Sequence, residues 1–428
     1  MSRLSIIGKA LGMLLRPGSY GPGEKVPMFC RAFAERILGN ASIPCYMAYR
    51  ARVLLWAVIR ALGLKETDEV IVPAYTCEMV PTAIRFAGAR CVYVDCAQGS
   101  WSPDDEIIMR AVTPRTRLVL LQHTYGIVQP AEALRRRLPD QVAILEDACQ
   151  VVEHARLAAN RPHTLGALFS LQWNKPMTTG LGGVLSVHNE EFSQRIGTFI
   201  AENLDRQLAQ ARVRGLALQM IAYQSLLTPA TRASLANIYR WLQISGLIQG
   251  TTSPREYTGA MPADYALAAT DAQAVLGEVS LSQWPQVYLR RRELTKTYLE
   301  CLLTQGFRPF AEIGQIPVLW GVPLQSTAKQ ATLRIARQQR LALTSWFGRA
   351  PAHLAPQTAS QYGYVAGACP KAEALVTREV FLSTASEVSD RRLKTTCEKL
   401  LAGFDTALRA NFNNRPHAER IPQPTGIR

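Results

Sequence analysis

Two hydrophobic periods alternate along residues 51–188 of the chain. Residues 51–64 (ARVLLWAVIRALGL) place apolar side chains at helical spacing, and residues 69–75 (EVIVPAY) form a short apolar run that is typical of a buried strand. The same order is repeated by predicted helices over 78–87, 103–111 and 131–138 and by predicted strands over 91–95, 117–122, 142–147, 167–172 and 183–187. Because strands that alternate with helices form parallel sheets, the pattern predicts an α/β fold with a mostly parallel sheet covered on both faces.

The chain after residue 188 has a more helical pattern, and its C-terminal part predicts a second, smaller domain. We expect a charged helix over 190–214, helices over 265–282 and 284–304, a strand over 317–324 and a helix over 387–403. We therefore divide the chain into a basic amphipathic N-terminal segment (1–45), a large domain (46–285) with an apolar helical insertion (215–250), a small α+β C-terminal domain (286–410) and a polar tail (411–428) that is expected to be disordered.

Composition and charge narrow the class of protein and its partners. The chain has 428 residues, 48% of them hydrophobic and 19% charged, which supports a large buried core. Its net charge is +15, and residues 1–60 hold nine basic residues against two acidic ones. Such a balance favours phosphorylated substrates or anionic lipid surfaces, and nucleic acid is not expected because no nucleic-acid-binding motif accompanies it. Nine cysteines without paired spacing predict reduced thiols in a cytoplasmic protein and no metal site.

Chemically useful residues follow two of the predicted strands. Asp147 ends the strand over 142–147, and Lys175 lies 28 residues later in a loop rich in Gly and Thr, with Ser170 before it. Each has an ordinary alternative: an Asp that caps a turn, a solvated loop Lys, and glycines that make a tight turn. Together they match the needs of pyridoxal phosphate, which forms a Schiff base with a lysine and pairs its pyridinium nitrogen with an acidic side chain. Its phosphate binds hydroxyl groups and the backbone N–H groups of a helix start.

Several motifs in the same order resemble the DegT/StrS family of pyridoxal-phosphate-dependent aminotransferases. They are LGLKETDEVIVPAYT (62–76), AGARCVYVD (87–95), VTPRT (112–116), YG (125–126), EDACQ (146–150) and FSLQWNKPMTTGLGG (169–183). The resemblance implies a fold of the aspartate-aminotransferase type (fold type I), with a large cofactor-binding domain and a small C-terminal α+β domain. It also implies pyridoxal 5′-phosphate as the cofactor and a homodimer as the assembly.

The resemblance implies roles for four residues around the cofactor. Lys175 is expected to carry the cofactor and to move the proton during the reaction. Asp147 is expected to pair with the pyridinium nitrogen, Gln150 to contact the ring, and Ser170 to bind the phosphate. Lys175 and Asp147 are therefore the predicted catalytic residues.

The phosphate end of the expected site departs from the family pattern. Ala51 and Arg52 fall where the family has the Gly-Thr of a phosphate-binding turn, and Cys77 falls where it has a stacking aromatic residue, so Tyr75 would have to supply the stacking. The family's Asn-Tyr-Arg segment, which it lends to the neighbouring subunit, aligns with residues 266–268, where both polar groups are missing. Arg52 either compensates by gripping the phosphate or forms a surface ion pair.

Two residues that follow the strand over 117–122 are candidates for contact with the substrate. His123 and Tyr125 both lie where a parallel strand opens into a loop, the usual position of a ligand site. A hydrogen-bonded structural role is the stronger alternative for His123.

An apolar stretch over 215–250 contains Arg232 and Arg240 as its only charged residues and has Pro229 near its centre. It predicts two helical halves, which either pack in a dimer interface or lie on a membrane surface together with the basic residues 1–16. In the second case the protein would be peripheral on the inner face of the cytoplasmic membrane.

The favoured activity is transfer of an amino group, from glutamate by family analogy, to a keto-sugar or related carbonyl on a nucleotide- or lipid-linked substrate. One alternative is a dehydratase or another lyase of the same family, which Lys175 disfavours because dehydrating members have histidine there. A second is a membrane-associated, non-catalytic binding protein. Cys77 and the altered 266–268 segment favour it, whereas the set of Lys175, Asp147, Gln150 and Ser170 argues against it.

Overall fold

The computed structural model describes residues 3–226, 235, 238–239, 241–242, 245, 250–257, 259–304, 316–346, 351 and 356–401. The predicted helix break at Pro229, Arg232, Arg240 and the predicted tail 411–428 lie outside the described residues.

A seven-stranded sheet forms the centre of the larger part of the molecule. Its strands are β1 (Cys45–Ala48), β2 (Glu69–Pro73), β3 (Arg90–Val94), β4 (Thr116–Gln122), β5 (Ala143–Asp147), β6 (Gly166–Ser170) and β7 (Gly183–Val187). They are ordered β1-β7-β6-β5-β4-β2-β3, and β3, β2, β4, β5 and β6 run parallel. β7 is antiparallel to both β6 and β1. The predicted mostly parallel sheet is therefore confirmed, although β1 was not predicted as a strand.

Helices cover the sheet and build the rest of the described chain. They are α1 (Arg3–Leu15), α2 (Lys25–Leu38), α3 (Ala51–Ala61), α4 (Met79–Phe86), α5 (Asp105–Ala111), α6 (Glu132–Arg137), α7 (Glu190–Asn203), α8 (Arg206–Ala211), α9 (Val213–Leu226), α10 (Pro254–Tyr257), α11 (Asp271–Thr304), α12 (Lys329–Gln338), α13 (Pro356–Ala359), α14 (Pro370–Arg378) and α15 (Asp390–Leu401). Helix α3 is apolar from Val53 to Ile59 and all of these side chains are buried, which is why it packs directly on the sheet.

A smaller antiparallel sheet lies in the C-terminal part. It consists of β8 (Gly321–Gln325), β9 (Leu343–Thr344) and β10 (Glu379–Ser383), in the order β8-β10-β9. Helix α11 contributes Leu294, Tyr298 and Leu302 to the core against this sheet. The strand predicted over 317–324 begins only at Gly321.

Helix α11 corrects the prediction of two helices over 265–282 and 284–304. It is continuous through Pro285, although proline removes one backbone hydrogen bond. Packing on both sides of Pro285 holds it together: Gly277 lies against the Phe29 ring of α2, and the buried Arg291 guanidinium donates to the Trp320 carbonyl and the Thr384 hydroxyl. The helix runs through the predicted boundary at 285–286, and the division into domains stays a prediction.

The charged helix predicted over 190–214 is interrupted, which is a second correction. Helix α7 ends at Asn203, and the Asp205 side chain accepts a hydrogen bond from the Leu208 backbone at 2.8 Å to begin α8. The Asp205 backbone N–H also donates to the Ala266 carbonyl at 2.8 Å. Asp205 therefore caps α8 with its side chain while its backbone bonds to residue 266, and the chain cannot continue as one helix from α7 into α8.

The N-terminal helices pack on the larger part of the molecule. Helix α1 lies against α9 and buries Ile6, Ala10 and Met13, whereas Leu4 and Leu15 on its other side are more than 80% exposed. Among the described residues, no helix combines the length and the apolar character needed to cross a membrane.

Candidate active site

A cavity of about 450 Å³ opens at the carboxyl ends of the parallel strands. The backbones of Gln122 and Asp147 are paired across β4 and β5, so these strand ends lie side by side at its floor. The cavity brings together most of the predicted site residues, which are Ala51, Arg52, Cys77, His123, Asp147, Gln150, Ser170 and Lys175. Their roles stay predictions, but their convergence from five separate segments agrees with the expected site.

Lys175 lies in the loop between β6 and β7. Its side chain is buried to 7% exposure, and its Nζ donates to the Cys149 carbonyl at 3.0 Å. The same nitrogen lies 4.9 Å from the ring centre of Trp346 and 5.6 Å from that of Trp320. A solvated loop lysine is therefore excluded, because this ammonium group is enclosed between the large sheet and two tryptophans of the C-terminal part.

Asp147 lies at the last position of β5, where its half-buried side chain lines the cavity. Its Oδ1 accepts a hydrogen bond from the Cys149 backbone N–H at 3.0 Å, which fixes the carboxylate at the start of the turn. Burial, and then the neighbouring Asp147 carboxylate, raise the pKa of the Cys149 thiol. Cys149 is therefore a neutral thiol at this site and not an activated nucleophile.

The start of helix α3 lies at the other end of the cavity. Ser170 on β6 is paired with Gly183 on β7, and a side chain at Gly183 would overlap Ala51. This close approach brings the helix start to β7, the strand next to Ser170. The unpaired N–H groups of a helix start together with a serine hydroxyl suit a phosphate group.

Arg52 forms a buried ion pair, which corrects the surface alternative. Its Nε lies 2.6 Å from Oε2 of Glu256, and the two side chains are 9% and 1% exposed. Its Nη2 also donates to the Glu256 Oε1 and to the Thr251 carbonyl. The guanidinium lies at the cavity wall, but its charge is balanced by a carboxylate of the same chain.

Tyr75 and Tyr125 do not line the cavity, which corrects the positions expected for them. Both side chains are fully buried, and their hydroxyls are 3.0 Å apart. The Tyr125 hydroxyl also donates to Oε1 of Glu379 at 3.0 Å. Tyr125 has a positive φ of 58°. Its ring packs in an aromatic cluster with Trp101 and Phe381. Tyr75 therefore does not stack over the cavity in place of Cys77.

Gln150 connects the cavity wall to that cluster. Its Oε1 accepts a hydrogen bond from the Tyr125 backbone N–H at 2.6 Å, and its side chain is 9% exposed. The Trp320 backbone N–H donates to the Tyr125 carbonyl at 3.0 Å. The Tyr125 backbone thus holds both a predicted ring-contacting residue and one of the tryptophans beside Lys175.

His123 has the structural role that the sequence favoured. Its Nδ1 accepts from the Gln129 backbone N–H at 3.2 Å, so Nε2 carries the proton and donates to Oε2 of Glu146 at 2.8 Å. Burial by itself raises the pKa of Glu146, but hydrogen bonds from His123, Asn160 and Thr164 outweigh it and hold the pKa of that carboxyl below its usual range. His123 lies in the cavity wall as part of this buried network.

Other residues at the cavity were missed by the sequence analysis. They are Arg50 before helix α3, Thr251, Thr252 and Tyr257 around α10, and Trp346 from the C-terminal part. Only Arg50 had a local signal, because it directly precedes the turn of Ala51 and Arg52. The others come from distant segments whose approach depends on the tertiary fold.

The arrangement fits pyridoxal phosphate on observations of this chain. An enclosed lysine and a fixed carboxylate line one cavity, as the aldehyde and the ring nitrogen require. At the opposite end, Gly183 lets the start of α3 pack directly against β7, and the Nε of Arg50 is buried without a hydrogen-bond partner among the described residues. Asp147, Gln150, Lys175, Ser170 and Ala51 would hold the group.

Solved structures share this fold, and curated proteins are similar to part of the sequence. The structure of NtdA from Bacillus subtilis with bound cofactor PMP has a TM-score of 0.67 at 16% identity, and covers 94% of this chain and 81% of that one. The L-glutamine:2-deoxy-scyllo-inosose aminotransferase of Streptomyces lividus is 31% identical over 186 residues, 41% of each chain. The GDP-perosamine synthase of Caulobacter vibrioides is 28% identical over 188 residues, 43% of this chain and 49% of that one. The matched part thus spans less than half of these curated relatives.

A family model covers far more of the chain than these pairwise matches. The model of the DegT/DnrJ/EryC1/StrS aminotransferase family matches residues 7–243 and 230–401. This match confirms the predicted family and fold class, and the family is one of aminotransferases. The chain belongs to the DegT/DnrJ/EryC1/StrS aminotransferase family.

Proposed function

We propose that the protein is a pyridoxal-phosphate-dependent aminotransferase that moves an amino group from glutamate to a keto-sugar or related carbonyl. The observation that carries this proposal is the enclosure of Lys175 in the cavity that Asp147 and Ser170 also line. A binding protein needs no buried lysine held against a backbone carbonyl, so the set supports turnover rather than binding alone.

Each residue of the site has a definite task in this proposal. The bound cofactor supplies an electron-withdrawing ring that acidifies the neighbouring carbon of the substrate. Asp147, fixed by the Cys149 N–H, keeps the proton on the ring nitrogen through a charge-assisted hydrogen bond. The Lys175 Nζ takes the proton from the α-carbon of the amino donor and delivers it to the C4′ carbon of the cofactor. The rings of Trp346 and Trp320 keep water away from that nitrogen.

The lyase alternative is disfavoured by the same lysine. Lys175 Nζ points toward the cavity that Asp147 lines, whereas the dehydrating members of the family have histidine at this position. Amino transfer therefore remains the proposal, and a purified protein that releases water from the sugar without consuming an amino donor would contradict it.

The donor and the carrier of the acceptor are the finer parts of the proposal. One relative is named for L-glutamine and another for GDP-perosamine, so both an amide donor and a nucleotide-linked sugar occur among the relatives. The test incubates the purified holoprotein with glutamate, glutamine and a matched control, D-glutamate, and follows the cofactor absorbance in the absence of any acceptor. A spectral change with glutamate supports glutamate as the donor, and a change with glutamine alone would make glutamine the donor instead. The absence of a change with any amino acid would contradict amino transfer.

We also propose that the protein is a homodimer and that its exposed N-terminal face contacts an anionic membrane surface. The apolar residues that support membrane contact are Leu4, Leu11, Leu15, Leu218, Ile238 and Trp241, each at least 44% exposed. Leu4, Leu11 and Leu15 share one side of α1. The exposed basic residues nearby in the sequence are Lys9 on α1, Arg16 directly after α1 and Arg214 on α9. Apolar side chains beside basic ones suit an anionic headgroup layer. A keto-sugar carried on a lipid would be met at that surface.

Vesicle binding tests the membrane part of the proposal. The wild type should co-sediment with vesicles that contain phosphatidylglycerol, whereas the triple variant Leu11→Ser/Leu15→Ser/Trp241→Ser should stay in the supernatant. Leu289→Ser, which changes an exposed leucine on α11, is the control and should co-sediment like the wild type. Sedimentation velocity of the same variants reports the assembly. Failure of the wild type to bind vesicles, with loss of the dimer in the triple variant, would make this face a subunit interface.

A further inference from the structure

Arg50 is a buried cation without a counter-ion in the described chain. Its side chain is 7% exposed, its residue lines the cavity, and its Nε makes no hydrogen bond. Its guanidinium carbon lies 5.6 Å from the ring centre of Tyr49, which is a cation–π contact and does not balance the charge. Isolated buried charges are costly, so an arginine kept in such a position requires an anion.

The acidic residues nearest to Arg50 are already paired with other arginines. Glu256 is paired with Arg52 at 2.6 Å, and Asp264 is paired with Arg212 at 2.7 Å. Burial, followed by repulsion from Arg52, lowers the pKa of Arg50. The neighbourhood therefore carries one uncompensated positive charge, which this chain does not neutralise with its described side chains.

The position of Arg50 identifies the anion that it suits. Arg50 is the residue before the eleven-residue helix α3, and its side chain makes no capping hydrogen bond to that helix. The helix start already presents unpaired N–H groups and a partial positive charge to the cavity. An arginine fork beside a helix start is suited to a phosphate group, which accepts hydrogen bonds from both.

We infer that Arg50 binds the phosphate of pyridoxal phosphate together with the N-terminus of α3. The inference rests on the proposed cofactor site. A phosphate group could also come from a nucleotide-linked sugar, whose diphosphate has the same chemistry. The cofactor is favoured because Arg50 adjoins Ala51, which lies against the strand that is paired with Ser170.

Binding to the cofactor-free protein tests this inference without any turnover. The affinities of the wild type, Arg50→Ala, Arg50→Lys and Arg60→Ala for pyridoxal phosphate and for pyridoxal, which lacks the phosphate, are measured by protein fluorescence. Arg60 is an exposed arginine on the same helix and provides the matched control. Arg50→Ala should weaken pyridoxal phosphate binding roughly 10- to 100-fold and leave pyridoxal binding unchanged, with Arg50→Lys between it and the wild type. Arg60→Ala should match the wild type.

Inorganic phosphate alone provides a second readout. It should raise the melting temperature of the cofactor-free wild type and of Arg60→Ala, but not that of Arg50→Ala. Equal losses of pyridoxal and pyridoxal phosphate binding, or an unchanged affinity for both in Arg50→Ala, would overturn the inference. Loss of UDP or GDP binding with unchanged pyridoxal phosphate binding would assign Arg50 to the substrate and likewise overturn it. If the wild type binds no pyridoxal phosphate at all, the proposed function itself fails.

Discussion

The ammonium nitrogen of Lys175 lies 4.9 Å from the ring centre of Trp346. The two residues belong to different parts of the fold, since Lys175 follows β6 of the large sheet and Trp346 follows β9 of the small sheet. The Trp346 backbone N–H donates to Oε1 of the fully buried Glu379 at 2.9 Å, which fixes the start of this tryptophan segment. The small sheet therefore completes the enclosure of the predicted catalytic lysine.

Removal of the Trp346 ring should slow the reaction without removing the cofactor. A cation over an aromatic face gains about 0.5–2 kcal/mol, and loss of the ring also admits water beside Lys175. We expect Trp346→Ala to lower kcat roughly 2- to 30-fold, and Trp346→Phe to stay close to the wild type. Steady-state kinetics and cofactor absorbance measure both. Trp241→Ala, which removes an exposed tryptophan elsewhere, is the control, and an unchanged kcat in Trp346→Ala contradicts the role.

The buried carboxylate of Glu379 should contribute strongly to stability. It accepts hydrogen bonds from Tyr125, Lys329, Ser345 and the Trp346 backbone. Glu379→Ala leaves Lys329 without its buried partner and should lower the free energy of unfolding by about 3–5 kcal/mol. Tyr125→Phe removes only one neutral donor and should cost about 1–3 kcal/mol. Urea denaturation of both variants checks the order, and a smaller loss in Glu379→Ala than in Tyr125→Phe would contradict it.

The ion pair of Arg52 and Glu256 should behave as a buried pair. Arg52→Ala leaves the Glu256 carboxylate, whose side chain is 1% exposed, without its partner, and should lower the free energy of unfolding by about 3–5 kcal/mol. The double variant Arg52→Ala/Glu256→Ala should recover part of that loss, because it removes the unpaired charge. Arg52→Ala should also weaken cofactor binding severalfold. A loss of stability below about 1 kcal/mol would match a solvated pair and contradict the burial argument.

A buried histidine should make the protein less stable in mild acid. Burial lowers the pKa of His154 from 6.5 to about 3. Between these two pH values His154 is therefore protonated in the unfolded chain but neutral in the folded protein. The free energy of unfolding should therefore fall as the pH drops from 6.5 toward 3, by about 1.4 kcal/mol per pH unit from this residue. His154→Phe, which keeps a ring against Phe169 and Trp284, should remove that share. Urea denaturation at pH 5.5 and 7.5 measures it, and equal pH dependence in both proteins would contradict it.

Local sequence patterns were sufficient to predict the cavity floor. Asp147 and Lys175 follow strands whose apolar runs are short and unambiguous, and the carboxyl ends of parallel strands meet at one edge of a sheet. Tyr75 and Tyr125 also follow strands, but their side chains pack in a buried aromatic cluster and do not line the cavity. That packing depends on the positive φ of Tyr125 and on the distant Glu379, neither of which a local pattern contains.

Features that depend on long-range packing could not be predicted in the same way. Pro285 is a helix-ending signal by itself, yet α11 continues because each of its halves is held by a different core. The partner of Arg52 lies on the short helix α10, and the ring over Lys175 lies after β9. Charge counts showed an excess of basic residues near the N-terminus. Only the pairing of Glu256 with Arg52 and of Asp264 with Arg212 shows that Arg50 lacks a counter-ion among the described residues.

The central claim is that Lys175 carries the cofactor and moves the proton. Purified wild type and Lys175→Ala are treated with borohydride, which fixes pyridoxal phosphate to the amine that holds it, and are then digested and mapped by mass spectrometry. Circular dichroism confirms that the variant is folded. We expect a pyridoxyl group on Lys175 in the wild type, with no such group and no amino transfer in Lys175→Ala. A pyridoxyl group on another lysine, or wild-type protein without any bound pyridoxal phosphate, would contradict it.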